Sequence, residues 1–128
     1  MSNPWYRPVG EEKIPSPALL VFPERIEQNL RLMVELTAST ERLRPHLKTH
    51  KMAEVTRMQI AAGIGKFKCS TIAEAEMGAL CGANEILLAY PSVGPRVTQL
   101  RQLAERFPEV RFSTLIDCYA HLTILSDA

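Results

Sequence analysis

Apolar residues in this chain fall into short runs separated by polar turns, and the runs change period in a regular way. After a polar, proline-containing lead-in over 1–15, the run Pro17-Ala-Leu-Leu-Val-Phe22 is bounded by prolines and is too short for a helix, so it predicts a strand. Pro23 suits the first turn of a helix that carries Ile26, Leu30, Met33 and Thr37 on one side and ends near Ser39. From Arg42 onward a strand-like run, a turn and a helix-like segment closed by glycine or proline repeat four times. This pattern predicts strands over 43–49, 66–70, 85–90 and 110–116, and helices over 53–62, 72–81, 95–107 and 118–126.

The helices carry their own punctuation. Thr71-Ile-Ala-Glu74 reads as a capping box, Gly63 and Gly82 stand where two helices should stop, and Gly94-Pro95 opens a helix whose inward stripe is Val97, Leu100, Ala104 and Phe107. Strand-to-strand spacings of about a dozen or more residues fit parallel crossovers and exclude hairpins. The expected fold class is therefore α/β, a run of about four parallel βα units preceded by a short strand and a helix. A solenoid has a similar period, but the four units share no sequence signature.

Composition narrows the class further. With 46% hydrophobic residues, 23% charged residues and a net charge of +1, the chain is neither a disordered polyelectrolyte nor an obvious nucleic-acid binder. No apolar run approaches the ~20 residues that a membrane helix requires, and the start lacks the layout of a signal peptide, so the expected setting is cytoplasmic with no membrane partner. Cys69, Cys81 and Cys118 are scattered and odd in number, which argues against disulfides or a zinc site and predicts free, buried thiols.

The segment that carries chemistry is Arg42-Leu-Arg-Pro-His-Leu-Lys-Thr-His-Lys51. In a strand, Arg44, His46, Lys48 and His50 share one face, while Leu43, Pro45, Leu47 and Thr49 share the other. Four basic or titratable groups cannot occupy a dry core without partners, so an anion is expected on that face. Lys48 would lie at the C-terminal end of the strand, where parallel α/β proteins build their sites, and lysine is the usual amine for Schiff bases. On spacing alone a solvated basic strand end is the simpler reading. His46 and His50 are either site residues or ordinary packing residues; in a strand they stand roughly 13 Å apart and should not share one metal ion. Thr71 is more simply a helix cap than a ligand contact, Tyr90 either borders the site or is structural, and Asp117 suits a cap of the last helix.

The string Arg44-Pro-His-Leu-Lys-Thr-His-Lys51 resembles the cofactor-lysine segment of the D-threonine aldolase and D-serine dehydratase enzymes, within the alanine-racemase-like pyridoxal-phosphate proteins. Ser16-Pro-Ala-Leu-Leu-Val21, Cys69-Ser-Thr-Ile-Ala-Glu-Ala-Glu76 and Ile86-Leu-Leu-Ala-Tyr-Pro-Ser-Val-Gly94 are similar to that family in order and spacing. The resemblance implies that residues 16–128 are the N-terminal part of a (β/α)8 TIM-type barrel, incomplete here because a whole barrel needs about 250 residues. It implies a pyridoxal 5'-phosphate-dependent lyase, an aldolase or dehydratase acting on D-β-hydroxy amino acids through a Lys48 Schiff base, with His46, His50, Thr71 and Tyr90 around the cofactor.

Any divalent metal would be held, by the same resemblance, through residues outside this chain, and the chain alone should be inactive. Unpaired edges of a part-barrel predict a homo-oligomer or a piece of a longer product. Two alternatives remain on the same scaffold, a non-catalytic pyridoxal-phosphate-binding protein and a racemase domain. A third is a phosphate-binding stripe of Arg42, Arg44, Lys48 and Lys51 for nucleic acid; it is weakened by the near-zero net charge and by the lack of interleaved aromatic residues.

Overall fold

Strands form in this protein where an alternating run finds a parallel neighbour. In the computed structural model, which describes residues 4–127, strands β1 (Lys66–Cys69), β2 (Glu85–Pro91) and β3 (Arg111–Leu115) make one sheet in the order β1-β2-β3. Both pairings are parallel, with Lys66 opposite Glu85 and Glu85 opposite Arg111. The helices are α1 (Pro23–Thr37), α2 (Ala53–Ala61), α3 (Ile72–Leu80), α4 (Pro95–Arg106) and α5 (Tyr119–Ser126). The chain is therefore α/β, with three of the five expected strands formed among the described residues.

The two missing strands fail for identifiable reasons. Residues 18–22 run without helix or strand into α1 but have no neighbouring strand to bond, and Leu19 and Leu20 are left exposed. The 43–49 run makes a single parallel bridge, His46 to Lys68, and then coils into a 3-10 turn over Leu47–Thr49. Pro45 gives its carbonyl to the Lys68 N–H at 3.0 Å but has no N–H of its own to extend a ladder.

Alternation along the strands sets two faces. Phe67, Cys69, Ile86 and Leu88 are buried, and Leu47, Ile64, Ala75, Ala79, Leu100 and Leu103 join them in one core cluster. Lys66, Lys68, Glu85 and Leu87 are half-buried positions of opposite parity, on the open face of the sheet. The α1 stripe is as the spacing predicts, with Leu30 buried and Ile26, Met33 and Thr37 half-buried. In α4 the third buried residue is Leu103, while Ala104 is exposed, a one-residue shift of the expected stripe.

Gly78 permits the closest approach in this core. A Cβ there would lie 3.0 Å from Leu47 Cδ1 and 3.0 Å from Ile86 Cδ1, so its absence lets α3 sit against both β2 and the 3-10 turn. Gly82, at φ +95°, ends α3: its N–H reaches the Ala79 carbonyl and the Ala83 N–H reaches that of Gly78. Of the three thiols only Cys69 is buried, and burial pushes it up to about 12; Cys81 is half-buried and Cys118 exposed, contrary to the expectation of three buried thiols. Among the described residues no helix is long and apolar enough to cross a membrane.

Candidate functional site

The site is built where the 44–51 segment meets the C-terminal end of β1. The bridge between His46 and Lys68 lays Arg44 and His46 along the open face of the sheet, as the alternation predicts. Arg44 reaches Glu85 on the central strand β2 at 2.8 Å, and Glu85 also takes Arg111 on β3 at 3.1 Å, so one carboxylate ties the segment to β2 and β3. The Arg44 hydrogen bond, opposed by burial and aided by the nearby charges of Arg111, Arg44 and Lys66, holds the Glu85 carboxyl below its usual range.

Beyond His46 the strand argument ends. Lys48 lies in the 3-10 turn and is exposed, so it does not share a strand face with Arg44 and His46. The turn replaces the ladder with local bonds. The Thr49 hydroxyl donates to the His46 carbonyl at 2.8 Å, and the Lys51 N–H donates to the Leu47 carbonyl at 2.8 Å. Lys51 takes a positive φ of 53° as the chain leaves the turn. Leu47, fully buried, anchors the turn in the core while Lys48 stays in solvent.

The two histidines repeat one local motif. His46 Nδ1 accepts the Lys48 N–H at 3.2 Å, and His50 Nδ1 accepts the Met52 N–H at 3.1 Å. His46 Nε2 is 3.2 Å from the Ser70 hydroxyl. Burial, then the charges of Lys48 and Lys68, lower the His46 pKa, and Glu74 opposes them. Burial lowers that of His50 as well. The separation expected for a strand does not apply across the turn, but each ring is engaged at its own place.

Glu74, on the first turn of α3, is buried, and its carboxylate accepts the Ser70 N–H at 2.8 Å. Its own N–H donates to the Thr71 hydroxyl at 3.1 Å. The capping box thus forms with a one-residue displacement, since the returning carboxylate takes the N–H of Ser70 instead of Thr71. Lys51 Nζ is 3.7 Å from the other Glu74 oxygen. The Thr71 side chain is thereby engaged as a helix cap.

Tyr90 stands near the end of β2 with its ring exposed, under the Arg96 guanidinium at 4.7 Å from the centroid. Asp117 does not cap α5. The N-cap is Cys118, without a side-chain cap bond, and Asp117 sits 2.6 Å from His121 Nδ1, an i,i+4 ion pair when the imidazole is protonated. Asp117, Cys118 and His121 bring three ligand-type atoms within 4.8 Å of one another, but the group is largely open to solvent beyond the far strand of the sheet.

Sequence reasoning passed over Lys68 and Ser70, which share parity with Lys66 along β1 and so fall on the open face beside His46. Period-two alternation in 66–70 was the available signal.

An exposed amine, with no carboxylate paired to it among the described residues, can condense with an aldehyde. The cationic Lys68 nearby suits an anionic group, and the one buried carboxylate close by is already held by Lys51 and Ser70. The donor set therefore fits pyridoxal phosphate.

No family model matches the chain. It is 36% identical over 92 residues to D-threo-3-hydroxyaspartate dehydratase of Delftia sp. (strain HT23), covering 71% of this chain and 24% of that protein. It is 30% identical over 118 residues to D-threonine aldolase of Arthrobacter sp, covering 91% of this chain and 30% of that one. The crystal structure of D-threonine aldolase from Filomicrobium marinum superposes with a TM-score of 0.77 at 31% identity, over 88% of this chain and 30% of that structure. The chain thus spans between 24% and 30% of the length of the curated relatives it matches. Motif, parallel α/β fold and these similarities agree: the chain is D-threonine aldolase/D-serine dehydratase-like.

Proposed function

We propose that this chain carries the cofactor lysine of a pyridoxal-phosphate-dependent lyase, an aldolase or dehydratase of D-β-hydroxy amino acids, and that its sheet is a sector of a (β/α)8 barrel. The observation that carries this reading is the placement of Lys48, exposed and without a carboxylate partner among the described residues, directly after the segment that pairs with β1. The names of the relatives, a hydroxyaspartate dehydratase and a threonine aldolase, support the substrate class.

Lys48 would hold the cofactor through its ε-amine as a Schiff base. Pyridoxal phosphate, when bound, supplies an electron sink for the bond cleavage. The chain supplies placement and charge. Arg44 and Glu85 fix the segment to the sheet, Lys68 adds positive charge beside His46, and Tyr90 with Arg96 offers an exposed aromatic and cationic edge at the end of β2. Lys48, exposed to solvent, would carry a proton to or from the substrate.

The test is to incubate the chain with pyridoxal phosphate, reduce with borohydride and map the adduct by mass spectrometry. Modification confined to Lys48 is expected. Scatter over the surface lysines, or no adduct, overturns the reading. β3 has no further partner on its outer side among the described residues, and an exposed edge favours pairing with a second copy, so the chain should self-associate on gel filtration. A clean monomer contradicts that part.

A further inference from the structure

The backbone of Lys48 is held by a chain of hydrogen bonds that leads away from the amine and ends at a buried carboxylate. The Lys48 N–H donates to His46 Nδ1 at 3.2 Å, His46 Nε2 meets the Ser70 hydroxyl at 3.2 Å, and the Ser70 N–H donates to Glu74 Oε2 at 2.8 Å. Three separate pieces of chain, the 3-10 turn, the end of β1 and the first turn of α3, are thus joined through one imidazole.

We propose that His46 is a positioning residue for Lys48, acting as the neutral imidazole with its proton on Nε2, with Ser70 and Glu74 holding the ring in place. The inference rests on the reading of Lys48 as the cofactor lysine. It gives His46 a different role from a cofactor contact: the ring works through the turn that presents the amine.

The tautomer follows from the partners. A nitrogen that accepts a backbone N–H cannot carry a proton, so the neutral ring must be protonated at Nε2, which then donates to the Ser70 oxygen. Ser70 is fixed from its other side because its N–H is taken by Glu74, whose buried carboxylate has Lys51 at 3.7 Å on its second oxygen. The charged groups acting on the imidazole are Lys48 from the turn, Lys68 from β1 and Glu74 from α3. The two cations favour the neutral ring and the carboxylate opposes them. Protonating Nδ1 would remove the side-chain acceptor of the Lys48 N–H and loosen the turn at Lys48, while the Thr49 and Lys51 bonds remain.

Two readouts test this in the full chain. The first, by NMR, needs no cofactor: imidazole 15N shifts should report the Nε2–H tautomer for His46, and the Lys48 amide should be protected from exchange. His46→Leu should speed that exchange by about tenfold, the scale of one lost hydrogen bond, while His46→Asn, which keeps an acceptor near Nδ1, should restore most of the protection. Ser70→Ala, which leaves the ring intact, should give an intermediate value and covers the case in which His46→Leu does not fold. The second readout is the rate of borohydride-trapped pyridoxal-phosphate adduct at Lys48, which should fall in the same order while adducts at other lysines do not change.

A proton on Nδ1, or exchange unaltered in Ser70→Ala and in whichever His46 variant folds, overturns the inference. An adduct absent from Lys48 in the unaltered chain, with the NMR results as expected, overturns the cofactor reading and leaves only the hydrogen-bond chain.

Discussion

The segment 43–49 and strand β1 (Lys66–Cys69) both alternate in side-chain character, yet only β1 becomes a strand. β1 pairs with β2 at four successive positions and buries Phe67 and Cys69 on one face. The 43–49 segment starts in the same way, with Leu43 buried and Arg44 on the open face, and makes one bridge at His46. It then turns, because Pro45 cannot extend the ladder and because His46 and Thr49 offer the backbone local partners. Alternation specifies which way side chains face, whereas the backbone partners available decide whether a strand persists. The outcome bears on function, since Lys48 sits in the turn and owes its placement to local bonds instead of a ladder.

The sharpest way to break this comparison is at Leu47, the buried residue of an otherwise solvent-facing turn. Leu47→Ala removes an apolar side chain packed near Gly78 and should cost about 2–5 kcal/mol in urea denaturation. A change below about 1 kcal/mol would mean that the turn is not anchored in the core.

A smaller effect is expected at the C-terminal end of β1. Thr71→Ala removes the hydroxyl that accepts the Glu74 N–H and should cost about 1 kcal/mol. Wild-type stability in that variant would show that the Glu74 carboxylate alone suffices to start α3.

The smallest expected effect is a dependence on pH. His46 and His50 both have pKa values below the ordinary 6.5, so the unfolded chain binds protons that the fold resists. Their contribution is complete above 6.5 and is lost as the pH falls through the lower folded values. The urea midpoint should therefore drop on acidification below that point, and less steeply in His46→Asn. A midpoint that rises over the same window contradicts the burial assigned to both rings.

Much of this architecture was legible in the sequence. The strands at 66–70, 85–90 and 110–116 and the helices between them lie within a residue or so of the observed elements, because glycine, proline and capping residues mark each end. The two runs near the start of the chain were not legible as non-strands, since their apolar and alternating character is strand-like and only the lack of backbone partners distinguishes them. At the site, Lys48 and His46 could be singled out from one motif. Alternation in 66–70 marked the face of Ser70 and the capping box marked Glu74, but the approach of Ser70 to His46 depends on the bridge between two segments about twenty residues apart. The strand face expected to carry Lys48 beside Arg44 and His46 does not exist at Lys48, which the 3-10 turn presents to solvent instead.

Equilibrium dialysis against pyridoxal phosphate, comparing the full chain with Lys48→Ala, tests the central claim most directly. Lys48 is exposed and its replacement should leave the fold intact, so the account predicts saturable binding of one cofactor per chain that the variant loses. Equal binding by the two proteins would contradict it.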